Sequence, residues 1–315
     1  MPGRLRGALR SLALRIPLLG RIVRERDELR RRLASGHGRW PPGHYYSPLP
    51  DFDALRARPE SPPEAPPREL PGLRLNEDVQ LRLLEEFAGL YADMPFKEEK
   101  TPGLRYHFDN IWFRHTDAVV LYCMIRHLRP RRIIEIGSGF SSLVMLDTNE
   151  VHFENSISCT CIDPDMGRLV PALKPGDMDR VTVVDRQVQK VDLGIFDDLD
   201  GRDILFIDSS HVTKTRSDVN RIVFEVLPRL REGVHVHFHD VFYPFEYPEQ
   251  WRRDGIAWNE AYLLRALLQF NRAFEIVFFP TFMWRFHGDR LAEAMPACKG
   301  DEGGSLWIAR TAAPA

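Results

Sequence analysis

The sequence predicts an α/β fold in which seven strands form a doubly wound, mostly parallel sheet with helices on both faces. Two observations support this prediction. Short apolar runs rich in β-branched residues alternate along the chain with segments of helical periodicity. Several of these runs end directly in glycine, aspartate or histidine, at the carboxyl edge where parallel sheets bind their ligands.

Composition narrows the class of protein further. The chain has 315 residues, 43% of them hydrophobic, and a formal net charge of −2, which gives no reason to expect nucleic-acid binding. The four cysteines form no Cys-x-x-Cys pair, so a disulfide framework is not expected and a reducing cytoplasm fits best. No stretch approaches the roughly 20 apolar residues that a membrane span needs.

Residues 1–36 are predicted to form a basic, amphipathic helical extension. Six arginines precede Glu25, and Pro17 is expected to kink or split the helix. Four apolar residues share one helical face: Leu12, Ile16, Leu19 and Val23. Through residues 1–34 the chain could lie on anionic lipid at the inner face of a membrane or form a coiled coil with a partner. The same segment could also be a solvated extension or an organellar transit peptide. The chain could form a homo-oligomer.

The next two regions lead into the core. Residues 37–72 hold ten of the 24 prolines and are expected to be a linker, or a flap over an active site through the aromatic segment 44–48. Residues 73–130 are predicted to be the helical N-terminal part of a catalytic domain. One helix should start after Asn76 as its N-cap, and another should span residues 117–128.

Residues 131–315 are predicted to be the catalytic core. Its seven predicted strands cover residues 133–136, 157–162, 181–184, 203–208, 234–238, 274–279 and 305–309. Its helices are expected after the first strand and over residues 222–230 and 258–270. Alternating strands and helices of this kind give a parallel sheet covered on both faces.

The first predicted strand runs into a glycine-rich turn typical of nucleotide-type sites. Gly137 and Gly139 lack a Cβ, so the backbone can turn sharply and approach a ligand. Ser141 or Ser142 could cap the helix that follows, whose free N–H groups would face the ligand. Asp163 ends the second strand, where a carboxylate can accept both hydroxyls of a ribose. An ordinary turn-forming aspartate before proline is the structural alternative.

A second group of polar residues follows the fourth and fifth strands. The fourth strand leads into Asp208 and His211, and the fifth ends in His239 and Asp240. These four residues could converge into a general-base site, a metal site or both, with Asp208, His211 and His239 as candidate catalytic residues. Two carboxylates suit Mg²⁺, whereas an imidazole-rich set suits Zn²⁺, Fe²⁺ or Mn²⁺. A structural role is favoured for His235, which shares a strand face with His239.

With these motifs the chain resembles the class I S-adenosylmethionine-dependent methyltransferases. More narrowly, it resembles bacterial members with the opening Ile-Glu-Ile-Gly-Ser-Gly-Phe-Ser-Ser and a fifth strand that ends His-x-His-Asp. The likeness runs from about residue 45 to residue 279 and implies a Rossmann-like fold. It implies that Glu135 supports the methionine end of S-adenosylmethionine, that Gly137 and Gly139 pack under it, and that Asp163 binds its ribose. The implied cofactor site is completed by Ser138, Ser141, Arg186, Gln187 and Asp208, with residues 185–187 beside the adenine.

The resemblance also implies a reaction. It indicates methyl transfer to an oxygen of a small molecule, a glycan or a lipid-linked saccharide, with His211 or His239 removing the acceptor proton. Members that use a divalent metal place acids where Asp208 and Asp240 stand. The third ligand of the catechol-type enzymes is Val241 here, so His211 or His239 would replace it.

The sequence leaves two alternative functions. A nicotinamide-dependent oxidoreductase is disfavoured, because Ser142 stands where the Gly-x-Gly-x-x-Gly pattern needs its last glycine. A catalytically inactive, methyltransferase-like scaffold could instead bind partners through residues 1–34. Against that possibility, polar side chains stand at every strand end where catalysis would need them.

Overall fold

The computed structural model describes residues 16–36, 38–57 and 65–311, which fall into two compact units. One unit comprises residues 1–62 and 249–257, and the other comprises residues 63–248 and 258–315. The predicted helical extension lies partly outside the described residues, since its first 15 positions are not among them.

The larger unit contains the predicted sheet. Within the described chain it has seven strands in the order β3-β2-β1-β4-β5-β7-β6. The strands are β1 (Arg132–Ile136), β2 (Ser158–Ile162), β3 (Val181–Val184), β4 (Ile204–Ile207), β5 (His235–His239), β6 (Phe274–Phe278) and β7 (Ser305–Arg310). Strands β1 to β5 pair in parallel, and β7 runs antiparallel to both of its neighbours. The fold class is confirmed, and each predicted strand lies within a residue or so of its observed position.

The insertion of β7 between β5 and β6 distinguishes this sheet from a dinucleotide-binding fold. The usual dinucleotide-binding sheet has six parallel strands in the order 3-2-1-4-5-6. Here β7 pairs antiparallel with β5, from His235 opposite Ala309 to His239 opposite Ser305. The topological switch point stays between β1 and β4, so the carboxyl ends of these strands form the crevice in which such sheets bind ligands.

Helices cover the sheet and supply the rest of the core. The helices among the described residues are α1 (Pro17–Gly36), α2 (Phe52–Ala57), α3 (Glu77–Tyr91), α4 (His115–Leu128), α5 (Phe140–Phe153), α6 (Gly194–Asp197), α7 (Asp218–Arg221), α8 (Glu249–Arg253), α9 (Glu260–Leu268) and α10 (Pro280–Ala294). A π-helical turn, Ile222–Val226, and a 3₁₀ turn, Leu227–Arg229, extend α7. Further 3₁₀ turns span Val170–Ala172, Asp177–Asp179, Val188–Lys190 and Pro296–Cys298.

Three local predictions concerned the starts of helices. Pro17 begins α1, which fits a helix split at this proline, because the first turn of a helix does not need the N–H that proline lacks; residues 1–15 lie outside the described residues. Helix α3 begins directly after Asn76 as predicted, but the Asn76 side chain donates to the Ile276 carbonyl (3.1 Å) and makes no capping hydrogen bond. Helix α5 begins at Phe140 after Gly139, and of the two serines predicted to cap it, Ser142 accepts the N–H of Gly139 (3.0 Å).

Helix α1 belongs to the smaller unit and exposes part of its apolar surface. Leu18, Ile22 and Leu29 are 70%, 52% and 60% exposed, and their spacing places them on one side of the helix. Gly20 is buried. Among the described residues, no helix combines the length and the apolar character needed to cross a bilayer.

Candidate active site

The glycine-rich turn is in direct contact with the end of β4. Gly137 has a φ of +86° and donates its N–H to the Ile162 carbonyl (2.9 Å). A Cβ on Gly137 would lie 1.8 Å from the carbonyl oxygen of Asp208, so only glycine fits between β1 and the residue that follows β4. The turn and Asp208 are therefore fixed against each other through their backbones.

Glu135 supports this turn from inside the fold. Its side chain is buried, and its two oxygens accept hydrogen bonds from the hydroxyls of Ser141 (2.6 Å) and Ser142. The Ser142 hydroxyl also accepts the N–H of Gly139 (3.0 Å). Burial raises the pKa of Glu135 to about 7, although the serine hydroxyls oppose that shift. Glu135 thus braces the turn through hydroxyls that bond both of its oxygens.

The turn leaves room and acceptors for a ligand. Among the described residues, a Cβ on Gly139 would come no closer than 3.8 Å to any side chain, the nearest being that of Arg168. At the end of β2, the two oxygens of Asp163 each accept one backbone N–H, from Ser138 (2.8 Å) and Asp165 (2.7 Å). A carboxylate held in this way keeps further lone pairs for a pair of hydroxyls. These residues therefore fit a cofactor that carries a ribose.

Beside the turn, Asp208, His211 and Asp240 form a charged cluster. The Nε2 atom of His211 lies 3.2 Å from an oxygen of Asp208 and 3.5 Å from an oxygen of Asp240. One potential ligand atom from each residue lies within 4.8 Å of the others, which fits the oxygen and nitrogen donor set of a divalent metal site. The side chain of Asp208 is 37% exposed, so the cluster opens toward solvent.

His239, predicted as a catalytic residue and a metal ligand, lies outside this group of three. Its Nε2 atom is 3.8 Å from Asp240, and its ring packs against Phe113. His239 is the last residue of β5 and is buried there, whereas Asp240, the next residue, has a left-handed backbone with φ +56°. The cluster therefore contains one imidazole instead of two.

Electrostatics in the cluster hold His211 in its charged form. Burial disfavours the imidazolium, but hydrogen bonds to Asp208 and Glu260 outweigh this effect and raise the pKa of His211 to about 10. The pKa of Asp208 is lowered, because the positive charges of His239 and His211 outweigh the effect of its burial. At neutral pH and without a metal, His211 would therefore carry a proton on both nitrogens and could not act as a base.

Backbone strain accompanies the cluster. His211 and Asp240 both have positive φ angles, 57° and 56°, which are uncommon for residues other than glycine. Each such residue costs of order 1–3 kcal/mol, and such residues concentrate at functional sites. Two of the three cluster residues therefore occupy conformations that the surrounding structure has to enforce.

Sequence comparisons assign a domain family to the core of this chain. Residues 134–241 match a family model described as a methyltransferase domain. A protein of Archaeoglobus fulgidus that has no assigned function is 36% identical over 174 residues, which are 51% of this chain and 74% of that protein.

The chain contains a methyltransferase domain.

Structural comparisons give weaker likenesses. The SAH-bound methyltransferase PaMTH1 of Podospora anserina is 16% identical, with a TM-score of 0.41 over 76% of this chain and 98% of that one. The O-methyltransferase TomG of Streptomyces achromogenes, involved in tomaymycin synthesis and solved with SAM, is also 16% identical, with a TM-score of 0.41 over 76% and 92%. At these similarities neither protein's chemistry transfers to this methyltransferase.

Most of the predicted site residues of the methyltransferase lie together at the carboxyl edge of the sheet, where one group has a turn side and a charged side. Gly137, Ser138, Gly139 and Asp163 form its turn side, and Asp208, His211 and Asp240 form the charged side. Arg186 and Gln187 are exposed just after β3, and their place beside an adenine stays a prediction. His235 bonds the Gly233 carbonyl through Nδ1 (2.9 Å), and burial lowers its pKa to about 4, as a structural residue requires.

Most of the aromatic segment that follows β5 belongs to the core of the fold. Tyr243, Phe245 and Tyr247 are all buried, and the first two pack on Phe279. Phe242 stays half-buried, and its ring lies 2.9 Å from where a Cβ of Gly304 would stand.

Sequence reasoning missed Glu260, the first residue of α9. Its carboxylate contacts Nδ1 of His211 (3.0 Å), and its side chain is 1% exposed. Nothing in the local pattern sets this residue apart, because an acid in the first turn of a helix is ordinary. Only the fold brings it behind the imidazole.

Proposed function

We propose that this protein transfers a methyl group from S-adenosylmethionine to an oxygen atom of its acceptor. The observation that carries the proposal is the backbone contact between Gly137 and Asp208. It joins the turn where the cofactor would bind to the cluster of charged side chains that would receive the acceptor. Methyl transfer needs donor and acceptor aligned, and a contact of this kind fixes both sites in one frame.

In this proposal the cofactor is held by the carboxyl ends of β1 and β2. Asp163 would accept the ribose hydroxyls, and the open space above Gly139 would admit the methionine end. Glu135 acts indirectly by bracing Ser141 and Ser142. Arg186 and Gln187 would flank the adenine. The antiparallel β7 favours this cofactor over a nicotinamide dinucleotide, whose usual sheet order lacks that strand.

A divalent cation is the second part of the proposal. Asp208 and Asp240 would supply oxygen ligands, and His211 would supply Nε2 after losing that proton. With Glu260, three carboxylates surround one imidazole, so the site carries an excess negative charge that a cation would balance. When bound, the ion would act as a Lewis acid that lowers the pKa of an acceptor hydroxyl. His211 then serves as a ligand and not as the general base.

The proposed acceptor is a hydroxyl group of a glycan, a lipid-linked saccharide or a small metabolite. Two aromatic side chains at the cluster support a ligand with flat or apolar faces: Phe242 beside Asp240, and Trp258 at 4.3 Å from the His211 ring. The exposed apolar side of α1 supports an acceptor presented at a lipid surface. Co-sedimentation with anionic vesicles, compared with a Leu18→Glu, Ile22→Glu variant, tests that last point.

The cofactor is tested by calorimetry of the intact chain with S-adenosylmethionine and its demethylated product. Asp163→Ala should weaken binding at least tenfold, because hydrogen bonds to a charged group contribute about 1.5–3 kcal/mol. Asp165→Ala is the matched control, since this acid lies on the same loop and its carboxylate accepts the Gly167 N–H. An intact protein that binds neither compound would refute the proposal.

The metal is tested separately from the cofactor. Metal analysis of protein prepared without chelators, and titration with Mg²⁺ and Mn²⁺, should show one site per chain. Asp208→Ala and Asp240→Ala should each abolish it. If wild-type protein binds S-adenosylmethionine but holds no metal and is not activated by one, the cation part of the proposal is refuted. The proposal of methyl transfer is unaffected by that result.

A further inference from the structure

The N-terminus of α9 holds His211 from two sides. The backbone N–H groups of Asn259 and Glu260 both donate to the His211 carbonyl, each at 3.1 Å. These are two of the N–H groups that a helix start leaves without a partner in the helix itself. The Asn259 side chain accepts the N–H of Thr213 (2.6 Å) and donates to its carbonyl (3.3 Å). The loop after β4 is therefore attached to α9 at consecutive residues.

Glu260 adds a contact of a different kind, because it reaches the imidazole itself. One oxygen lies 3.0 Å from Nδ1 of His211, and the other accepts the hydroxyl of Ser209 (3.3 Å). Both Glu260 and His211 are almost completely buried. A buried carboxylate is costly unless its charge is paired, and the imidazole of His211 supplies that partner for Glu260.

We propose that Glu260 is a positioning residue that fixes the tautomer and the ring orientation of His211. The inference rests on the proposed metal site and deepens it. A carboxylate can only accept a hydrogen bond, so it keeps the proton of a neutral imidazole on Nδ1. The lone pair is then on Nε2, which faces Asp208 and Asp240 at 3.2 and 3.5 Å. Outer partners of metal-binding histidines act in this way in many proteins.

The geometry explains why orientation needs a dedicated partner. Both nitrogens of His211 face carboxylates, so a ring carrying a single proton could place it on either side. A proton on Nε2 would remove the lone pair that a cation requires. The Trp258 ring, 4.3 Å away, restricts movement of the imidazole but carries no charge to select a tautomer. With a cation between Asp208 and Asp240 in place of the Nε2 proton, Glu260 would accept the proton that stays on Nδ1.

The experiment measures Mn²⁺ binding to the full chain, from the electron paramagnetic resonance signal of the free ion, with wild type, Glu260→Gln and Glu260→Asp. Gln preserves the shape without the charge, and Asp preserves the charge but withdraws the oxygens from Nδ1. Both should weaken Mn²⁺ binding about 10–100-fold, the usual effect of losing such an outer partner. Asn259→Ala is the control. It removes hydrogen bonds between α9 and the loop after β4, but the Asn259 side chain does not bond the His211 ring, so Mn²⁺ affinity should be unchanged.

Calorimetry with S-adenosylmethionine on the same proteins shows that each variant is folded and should give unchanged affinity. If a folded Glu260→Gln or Glu260→Asp protein binds Mn²⁺ as tightly as wild type, Glu260 does not position His211, and the metal site itself survives. Asn259→Ala could instead weaken Mn²⁺ binding as much as the two Glu260 variants do. The effect would then come from the attachment of the loop to α9, and the inference would also fail. If wild type binds S-adenosylmethionine but not Mn²⁺, the metal site and this inference fail together.

Discussion

The glycine-rich turn yields a prediction that separates the needs of the fold from those of the cofactor. Gly137 and Gly139 are two residues apart in one turn, yet their surroundings differ. A Cβ at Gly137 would lie 1.8 Å from the Asp208 carbonyl oxygen, on a backbone with φ +86°. A Cβ at Gly139 would meet nothing among the described residues closer than 3.8 Å. Alanine at each position should therefore produce different defects.

The expected magnitudes follow from these distances. In Gly137→Ala the left-handed backbone costs about 1–2 kcal/mol, and the clash with a backbone oxygen adds about 1–3 kcal/mol, as overpacking does. A loss of about 2–5 kcal/mol is a large share of a domain stability of about 5–15 kcal/mol. Gly139→Ala should change stability by no more than about 0.5 kcal/mol, as substitutions without a new clash do. Its methyl group would project into the proposed cofactor space and weaken binding at least tenfold, or about 1.4 kcal/mol.

Urea unfolding and calorimetry with S-adenosylmethionine measure the two effects on the same preparations. We expect Gly137→Ala to lower the unfolding midpoint strongly, and Gly139→Ala to keep the midpoint but lose affinity. Two results would refute this reasoning. One is a Gly139→Ala protein that binds the cofactor like wild type, because the space above this glycine would then not be the cofactor site. The other is equal destabilisation by both substitutions.

Two further predictions concern buried charge. The folded-state pKa of Glu135, about 7, is above its ordinary 4.5, so between these pH values only the unfolded chain loses the proton, and stability falls as the pH rises. Glu135→Gln removes this penalty and should gain up to about 3 kcal/mol relative to wild type between pH 4.5 and pH 8 in urea unfolding, whereas a constant difference would contradict it. Arg105 donates to buried Asp147 (2.7 Å) and Asp177 (2.5 and 2.7 Å), so Arg105→Met should cost about 3–5 kcal/mol in the same assay. Arg290→Met, which breaks only an exposed pair, should cost less than about 1 kcal/mol, and an equal loss for both would count against the buried network.

The sheet could be predicted because its signals are local. Strands buried on both faces appear in the sequence as short apolar runs, and β4, buried at all four positions, is the clearest case. The polar residues that follow them mark the carboxyl edge for the same reason. The place of β7 between β5 and β6 has no local signal, because strand order depends on contacts between distant segments. Helix α10 was missed, and a non-helical backbone at His287 interrupts it.

The charged site could be predicted only in part. Asp208 and Asp240 follow strands directly, so strand ends alone place them near each other. His239 was grouped with them by proximity in sequence, but a strand directs neighbouring side chains to opposite faces. His211 reaches the cluster through a left-handed backbone, and Glu260 through a helix start 49 residues later. Both depend on tertiary contacts that a single sequence does not display.

The charged site is held by two separate contacts, one to β1 and one to α9, and each would affect the proposed reaction differently. Asp208 is tied to β1, since its N–H donates to the Ile136 carbonyl (2.8 Å) and its carbonyl abuts Gly137. His211 is tied to α9 through Asn259 and Glu260. A change at Gly137 should thus disturb the cofactor turn and the charged cluster together, whereas a change at Glu260 should disturb the cluster alone. In the proposed reaction, alignment of donor and acceptor would depend on both supports: the backbone contact would set where the methyl group is delivered, and the α9 contact would set which nitrogen of His211 faces Asp208 and Asp240.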